Sequence, residues 1–292
     1  MRAYAGYSMP QRKWIRRYQI TIQTPEEVQF LIEPPISVSF EISRNALADA
    51  NDMSLSIYNL ARSTRNSLFK DRYSLIEYWQ IVVKAGYDRL FTVFRGNIQE
   101  SQSYRDGTDW ITELQCYDGM HSIQNGQSDV SFSGETPYED IVRGLISDFP
   151  TLNAGAIGSP AEGESVRGSA YSGSTSQILD ALVDGNYFID LEELHILARD
   201  EILTDQVYVL DERQLLATPS RRDTFIDVEI LFFPEVQIGR MCELRSTERV
   251  YNGQYKVVGL THNMEIRGDV AGNAVTELQL DAGTQAFREV TQ

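Results

Sequence analysis

One short string occurs twice in this chain. Thr112-Glu113-Leu114-Gln115 returns as Thr276-Glu277-Leu278-Gln279, and each copy closes a stretch with the same punctuation. Gly96, inside Phe94-Arg95-Gly96-Asn97-Ile98, lies 16 residues before Thr112; Gly259, inside Val257-Val258-Gly259-Leu260-Thr261, lies 17 residues before Thr276. Polar turns follow each glycine strand, with Gly107 in the first copy and Gly268 and Gly272 in the second. Strand, polar hairpin and second alternating strand are thus predicted twice. Four identical residues carry little alone; the shared order around them predicts a duplicated β-unit. Unrelated hairpins are the competing explanation, because alternating strands resemble one another.

The flanking sequence has the same period. Ile36, Val38, Phe40 and Ile42 share one face, and Met53, Leu55 and Ile57 repeat the pattern with serines opposite. Further strands are expected over 79–85, 90–98 and 110–117, then over 224–233, 241–245, 254–263 and 274–280. Turn signals every 8–12 residues in the first part predict an antiparallel barrel or sandwich. A short helix is expected between Leu60 and Phe69. The middle differs. Thr136-Pro137-Tyr138-Glu139 reads as a capping box with Pro at the first helical position, and Ser174-Thr175-Ser176-Gln177 starts a second helix the same way. Asp184-Gly185-Asn186 stops that helix. Residues 187–197 read as a hairpin turning at Glu192-Glu193. The stretch 153–173, rich in Gly, Ser and Ala, reads as a flexible loop.

Charge narrows the function. Forty-two acids against 26 Lys and Arg give a net charge of −16, which repels phosphate and disfavours stable nucleic-acid binding. Solubility explains such a charge; so does an acidic wall along which DNA slides. Cys116 and Cys242 sit in apolar-alternating runs and read as buried free thiols, without the histidines of a zinc site. The basic N-terminus has no apolar segment behind it, so it is not a signal peptide, and no run of 18 apolar residues predicts a membrane span. Gly155, Gly158 and Gly163 fit no nucleotide fingerprint, and Gly168 to Gly173 lacks the spacing of a hydrolase elbow. His121, His195 and His262 are dispersed. His195 reads as part of a hairpin turn among solvated charges, and His262 as a strand surface residue. No catalytic, cofactor or metal residue is nominated. The best docking candidate is the arm 1–17, where Arg12, Trp14, Arg16 and Arg17 suit an acidic neighbour; a tail laid along its own domain is the alternative.

Taken in order, several segments resemble one family. They are Ser54-Leu55-Ser56-Ile57-Tyr58-Asn59-Leu60, Val83-Lys84-Ala85-Gly86-Tyr87, Phe94-Arg95-Gly96-Asn97-Ile98 and Cys116-Tyr117-Asp118-Gly119, then the two helices. Leu231-Phe232-Phe233-Pro234-Glu235-Val236 and Asn252-Gly253-Gln254-Tyr255-Lys256-Val257 close the series. The chain resembles the baseplate or tail hub proteins of contractile-tailed phages, a family shared with contractile secretion spikes. That resemblance implies a mainly β fold with a smaller α+β part, in which two related antiparallel β-barrel, tube-like domains flank a helix-containing one. The expected boundaries are an arm at 1–17, a first tube-like domain at 18–128, a peripheral α+β domain at 129–218 and a second tube-like domain at 219–292. It also implies a structural, non-enzymatic homotrimer in the virion baseplate, assembled in the host cytoplasm. Its partners would be the tail tube protein, the central spike and other baseplate proteins, with DNA passing an acidic lumen and no membrane insertion. Gly96, Thr112, Leu114, Gly259, Thr276 and Leu278 define the repeat. The rival readings are a tail-tip cell-wall-degrading enzyme using Asp184, Glu192 or Glu193, and a glycan-binding module at 120–218.

Overall fold

A computed structural model describes residues 15–48, 50–73, 77–267, 270–283 and 287–290. Arg12, Trp14 and Gly268 lie outside these described residues. The first third supplies β1 (Arg17–Gln23), β2 (Gln29–Ile32), β3 (Val38–Asn45), β4 (Asn51–Tyr58), helix α1 (Arg62–Ser67), β5 (Gln80–Gly86), β6 (Leu90–Asp106) and β7 (Asp109–Asp118). The middle supplies α2 (Met120–Asn125), β8 (Gln127–Phe132), β9 (Thr136–Pro137), α3 (Tyr138–Ser147), β10 (Asn153–Ile157), β11 (Glu164–Ser165), β12 (Ser169–Ser174), α4 (Thr175–Val183), β13 (Tyr187–Asp190) and β14 (Glu193–Ile196). The last third supplies β15 (Glu201–Asp211), β16 (Ser220–Arg222), β17 (Phe225–Leu231), β18 (Arg240–Arg245), β19 (Gly253–Arg267), β20 (Val270–Asp281) and β21 (Arg288–Val290).

The chain is mainly β, and fourteen strands form one sheet. Its main path is β16-β17-β20-β19-β3-β4-β7-β6-β5-β1-β2, with β18, β15 and β21 branching from β19. Two halves repeat one pattern, antiparallel throughout. In the first, β5 pairs β6, β6 pairs β7, β7 pairs β4 and β4 pairs β3. In the second, β18 pairs β19, β19 pairs β20, β20 pairs β17 and β17 pairs β16. The halves meet where β19, from Gly259 to Ile266, pairs with β3, from Asn45 to Val38. Among the described residues no pairing closes either half into a barrel. The expected barrels differ from the observed sheet for a local reason: past β18, the edge of β19 is taken by β3 of the other half.

Strand alternation puts one face of this sheet on apolar cores. In β3, Val38, Phe40 and Ile42 are buried and Glu41 is exposed. One core underlies the first half and also receives Phe232 and Met264 from the last third. A second underlies the last third. A third lies among α3, α4, β13 and β14, built on Val142, Ile146, Leu179, Val183 and Leu194. Burying such side chains contributes roughly 1.5–3 kcal/mol each.

Two local expectations are corrected. Pro137 is the N-cap of α3, not its first residue, and no side chain caps that helix. Thr136 and Pro137 are held extended by pairing with Ser165 and Glu164, and the Thr136 hydroxyl donates back to the Ser133 carbonyl at 2.8 Å. Ser174 is the N-cap of α4, but its hydroxyl meets that of Ser176 (3.0 Å) instead of a backbone N–H. The stretch 153–173 is not a structureless loop. Its backbone finds distant partners: β10 joins β14, β11 joins β9 and β12 joins β8. Small polar residues permit this because main-chain pairing there needs no apolar face.

Candidate functional site

The solvent face of the sheet is polar and acidic across both halves. Cross-strand rows make this plain. Glu229, Glu277, Thr261, Ser43, Asp52 and Tyr117 are successive neighbours over β17, β20, β19, β3, β4 and β7. A parallel row runs Glu265, Ser39, Ser56, Glu113, Gln102. Ser54 donates to Gln115 at 2.9 Å, and Ser43 meets Thr261 at 3.4 Å. Glu229 and Glu277 are directly opposite, an arrangement that costs stability between like charges. Arginines stand at the margins: Arg267 lies 2.6 Å from Glu265 and Arg222 lies 3.4 Å from Asp227. A groove of about 550 Å³ runs over this face between Ser43, Thr261, Glu277, Glu229 and Arg222. Such a face presents mostly acids and hydroxyls to water.

Beneath the face, polar pins fasten the hairpin β13–β14 to the strands of the first half. They occupy inward positions at strand ends, where alternation would place apolar residues. Arg44 follows Val38, Phe40 and Ile42; Asn51 precedes Met53; Asp118 follows Leu114 and Cys116. Arg44 Nη2 donates to Asp190 Oδ2 at 3.1 Å and Nη1 to the Val93 carbonyl at 3.0 Å. Its Nε sits 2.9 Å from Asp190 Oδ1, at an angle too poor for a hydrogen bond. Asn51 Nδ2 donates to the Ile189 carbonyl at 2.6 Å. Asp118 accepts the backbone N–H groups of Leu191 (2.7 Å) and Glu192 (3.0 Å). Burial, with Asp190 nearby, pushes the Asp118 carboxyl up to about 8 against those two donors. Burial also raises Asp190, opposed by Arg44, and Glu192, opposed by the Tyr78 hydroxyl that donates to it. Gly119 follows with φ of 79°, where a Cβ would lie 2.6 Å from Ile189 Cδ1, so only Gly lets the middle segment approach.

The repeat-defining residues fall as follows. Thr112 faces Ser103 and Thr276 faces His262 across their hairpins, both fully buried, and Leu114 and Leu278 are buried beside them. Thr112 meets the Ser103 hydroxyl at 3.0 Å; Thr276 accepts the Phe233 N–H at 2.9 Å and meets His262 Nδ1 at 2.8 Å. The two glycines are not on matching rungs. Ser103 is seven residues past Gly96, whereas His262 is three past Gly259. Gly96 is required by closeness, since a Cβ would stand 2.4 Å from the Tyr117 carbonyl oxygen. Of the arm, Arg16 donates to the Gly272 carbonyl and Arg17 opens β1 opposite Gly86.

The histidine readings are corrected. His262 is fully buried, not a surface residue. His195 and Glu192 are 3% and 5% exposed, so the hairpin turn is not a set of solvated charges. His195 Nδ1 accepts the Ala156 N–H at 3.1 Å and its ring stacks on Phe188 at 5.0 Å. Among the rival catalytic carboxylates, Asp184 closes helix α4, Glu192 is held by Tyr78, and Glu193 starts β14. Both cysteines are buried and free. Among the described residues no helix is long and apolar enough to cross a membrane.

His195 gives a pH prediction. Burial, then Arg240, lower it from 6.5 to about 4. The unfolded chain therefore takes this proton first as pH falls through 6.5, and the site's contribution, about 3 kcal/mol at pH 7, is lost towards pH 4. Asp118 has the opposite sign: its raised pKa makes its contribution greatest at low pH, fading as pH rises towards 8. Comparing His195→Gln with the natural chain at each pH cancels Asp118. The stability gap is expected to shrink steadily from pH 7 to pH 4 in urea titrations; a constant gap would refute the assignment.

A family model described as baseplate hub gp41 matches residues 17–270. No curated protein matches the chain in sequence. Among solved structures, the 43 kDa tail protein of prophage MuSo2 from Shewanella oneidensis is similar with a TM-score of 0.60 at 8% identity, over 90% of this chain and 98% of that one. The tail protein from Neisseria meningitidis MC58 gives 0.55 at 11%, over 90% and 96%. The E. coli c3393 protein gives 0.57 at 8%, over 91% and 78%. It is described as a type VI secretion component similar to the T4 tail proteins gp27 and gp5. Likeness at these identities speaks for the fold alone.

Proposed function

This chain belongs to the baseplate hub gp41 family, and from that premise we propose that three copies form a ring of six like β-units joining a hexameric tail tube to a central spike. The carrying observation is the shared strand order of the two halves, β5-β6-β7-β4-β3 and β18-β19-β20-β17-β16. Two like units per chain let a threefold ring offer sixfold faces. In this reading the tube-like units are residues 18–128 and 219–292, with β15 added because it pairs β18 and β21. The helices and small sheets between them form the periphery, and the protein acts by binding, without catalysis. The acidic sheet face lines the channel, where DNA passes without adhering. The arm, with Arg12 and Trp14, docks on an acidic neighbour in the baseplate.

A mass measurement of the purified full chain, alone and with its tube protein, tests this. Three chains of 33.2 kDa each give an assembly near 100 kDa. A strict monomer under both conditions would remove the ring. The same preparation checks the channel: duplex DNA at low salt is expected to stay unbound, and tight binding would exclude an acidic lining.

A further inference from the structure

We infer that the joint between neighbouring copies repeats the joint inside the chain, with β16 of one copy pairing antiparallel to the far half of β6 of the next. This rests on the ring reading and specifies its interface. Within the chain, β3 lies against β19 over 259–266, just past the point where β18 stops at Lys256. The same vacancy exists in the first half. β5 covers β6 only as far as Asn97, Lys70 bridges Ser101, and beyond that no strand among the described residues pairs that edge. The counterpart of β3 is equally exposed: β16 ends the main sheet path, and Ser220, Arg221 and Arg222 are all exposed.

Aligning the two ladders rung by rung from Thr112 and Thr276 fixes the register. His262 takes the place of Ser103, Thr261 that of Gln102, and Asn263 that of Tyr104. Through β17 and β4, Arg222 takes the place of Ser43, and Ser220 that of Glu41. Inside the chain Ser43 faces Thr261 and Glu41 faces Asn263. Between copies, then, Arg222 faces Gln102, Arg221 faces Ser103 and Ser220 faces Tyr104. Charge agrees with this. Arg222 would arrive on the face that carries Glu100 and Glu113, and among the described residues its ion pair with Asp227 is a loose 3.4 Å. Among the described residues each copy has one such strand and one such edge, so the contact is head-to-tail, the kind that forms a ring when the rotation between copies closes. Open strand edges are otherwise a hazard that native chains cover.

The test is a Gln102→Cys, Arg222→Cys double variant of the full chain, oxidised after assembly; Cys116 and Cys242 are buried and do not interfere. A covalent trimer on a denaturing gel is the expected result. Independently, Arg222→Glu is expected to weaken the trimer about tenfold, and adding Glu100→Lys with Glu113→Lys to restore it. A trimer by native mass that yields single chains after oxidation, and whose affinity ignores the charge reversal, overturns the joint and leaves the ring standing. A chain that stays monomeric with its tube protein overturns both.

Discussion

Replacing Arg44 with methionine is expected to destabilise the chain by about 3–5 kcal/mol, the cost of stranding a buried carboxylate. The Arg44 side chain is 1% exposed and that of Asp190 7%. Its guanidinium also satisfies the Val93 carbonyl, and reaches Val236 at 3.4 Å, so one side chain ties β3, β6, β13 and the segment before β18. Removing it leaves Asp190 buried without its guanidinium partner, or forces it to take up a proton. Replacing both partners, Arg44→Met with Asp190→Leu, is expected to recover most of the loss, because neither charge then needs desolvation. Urea denaturation of the single and double variants measures this. A single variant within about 1 kcal/mol of the natural chain would show that Arg44 is not the pin described.

Phe232→Ala should cost a similar amount, about 3–5 kcal/mol, through the cavity it leaves. Phe232 comes from the last third but is fully buried in the core of the first half. Its ring meets Tyr87 edge-on at 6.2 Å and His262 at 5.3 Å, and its carbonyl accepts the Tyr87 hydroxyl at 3.2 Å. The void would lie under the β3–β19 seam, where strand backbones have no room to collapse. Phe232→Leu keeps most of the volume and is expected to cost under about 1.5 kcal/mol. Equal losses for the two variants, read by the same titrations, would mean that ring volume is not what holds the halves.

Much of this was legible in the chain itself. Half-buried strands write a period of two, so β3, β4, β5, β7, β17, β18 and β20 are found within a few residues of where alternation puts them. The pins also leave a mark: Arg44, Asn51 and Asp118 each break an apolar face at a strand end, the signature of a charge or amide buried with a partner. Alternation names the face and not the partner. Asp190 is 146 residues from Arg44. The burial of His195 and His262 was hidden for the same reason, since Ala156 and Thr276 become their neighbours only through the fold. The small strands β8, β10 and β12 leave no such mark, because Ser and Gly give no apolar period. Family membership, by contrast, rested on the order of segments, which survives where single residues do not.

The pairing of β3 with β19 also sets a timetable. A chain emerging from the ribosome finishes β3 at Asn45, yet its last partner residue is Ile266. At 5–20 residues per second, that interval lasts roughly 10–40 s. Throughout it the nascent amino-terminal half presents an open edge to every other chain in the polysome. Ser39, Glu41 and Ser43 along that strand are suited to discouraging premature association while synthesis runs on.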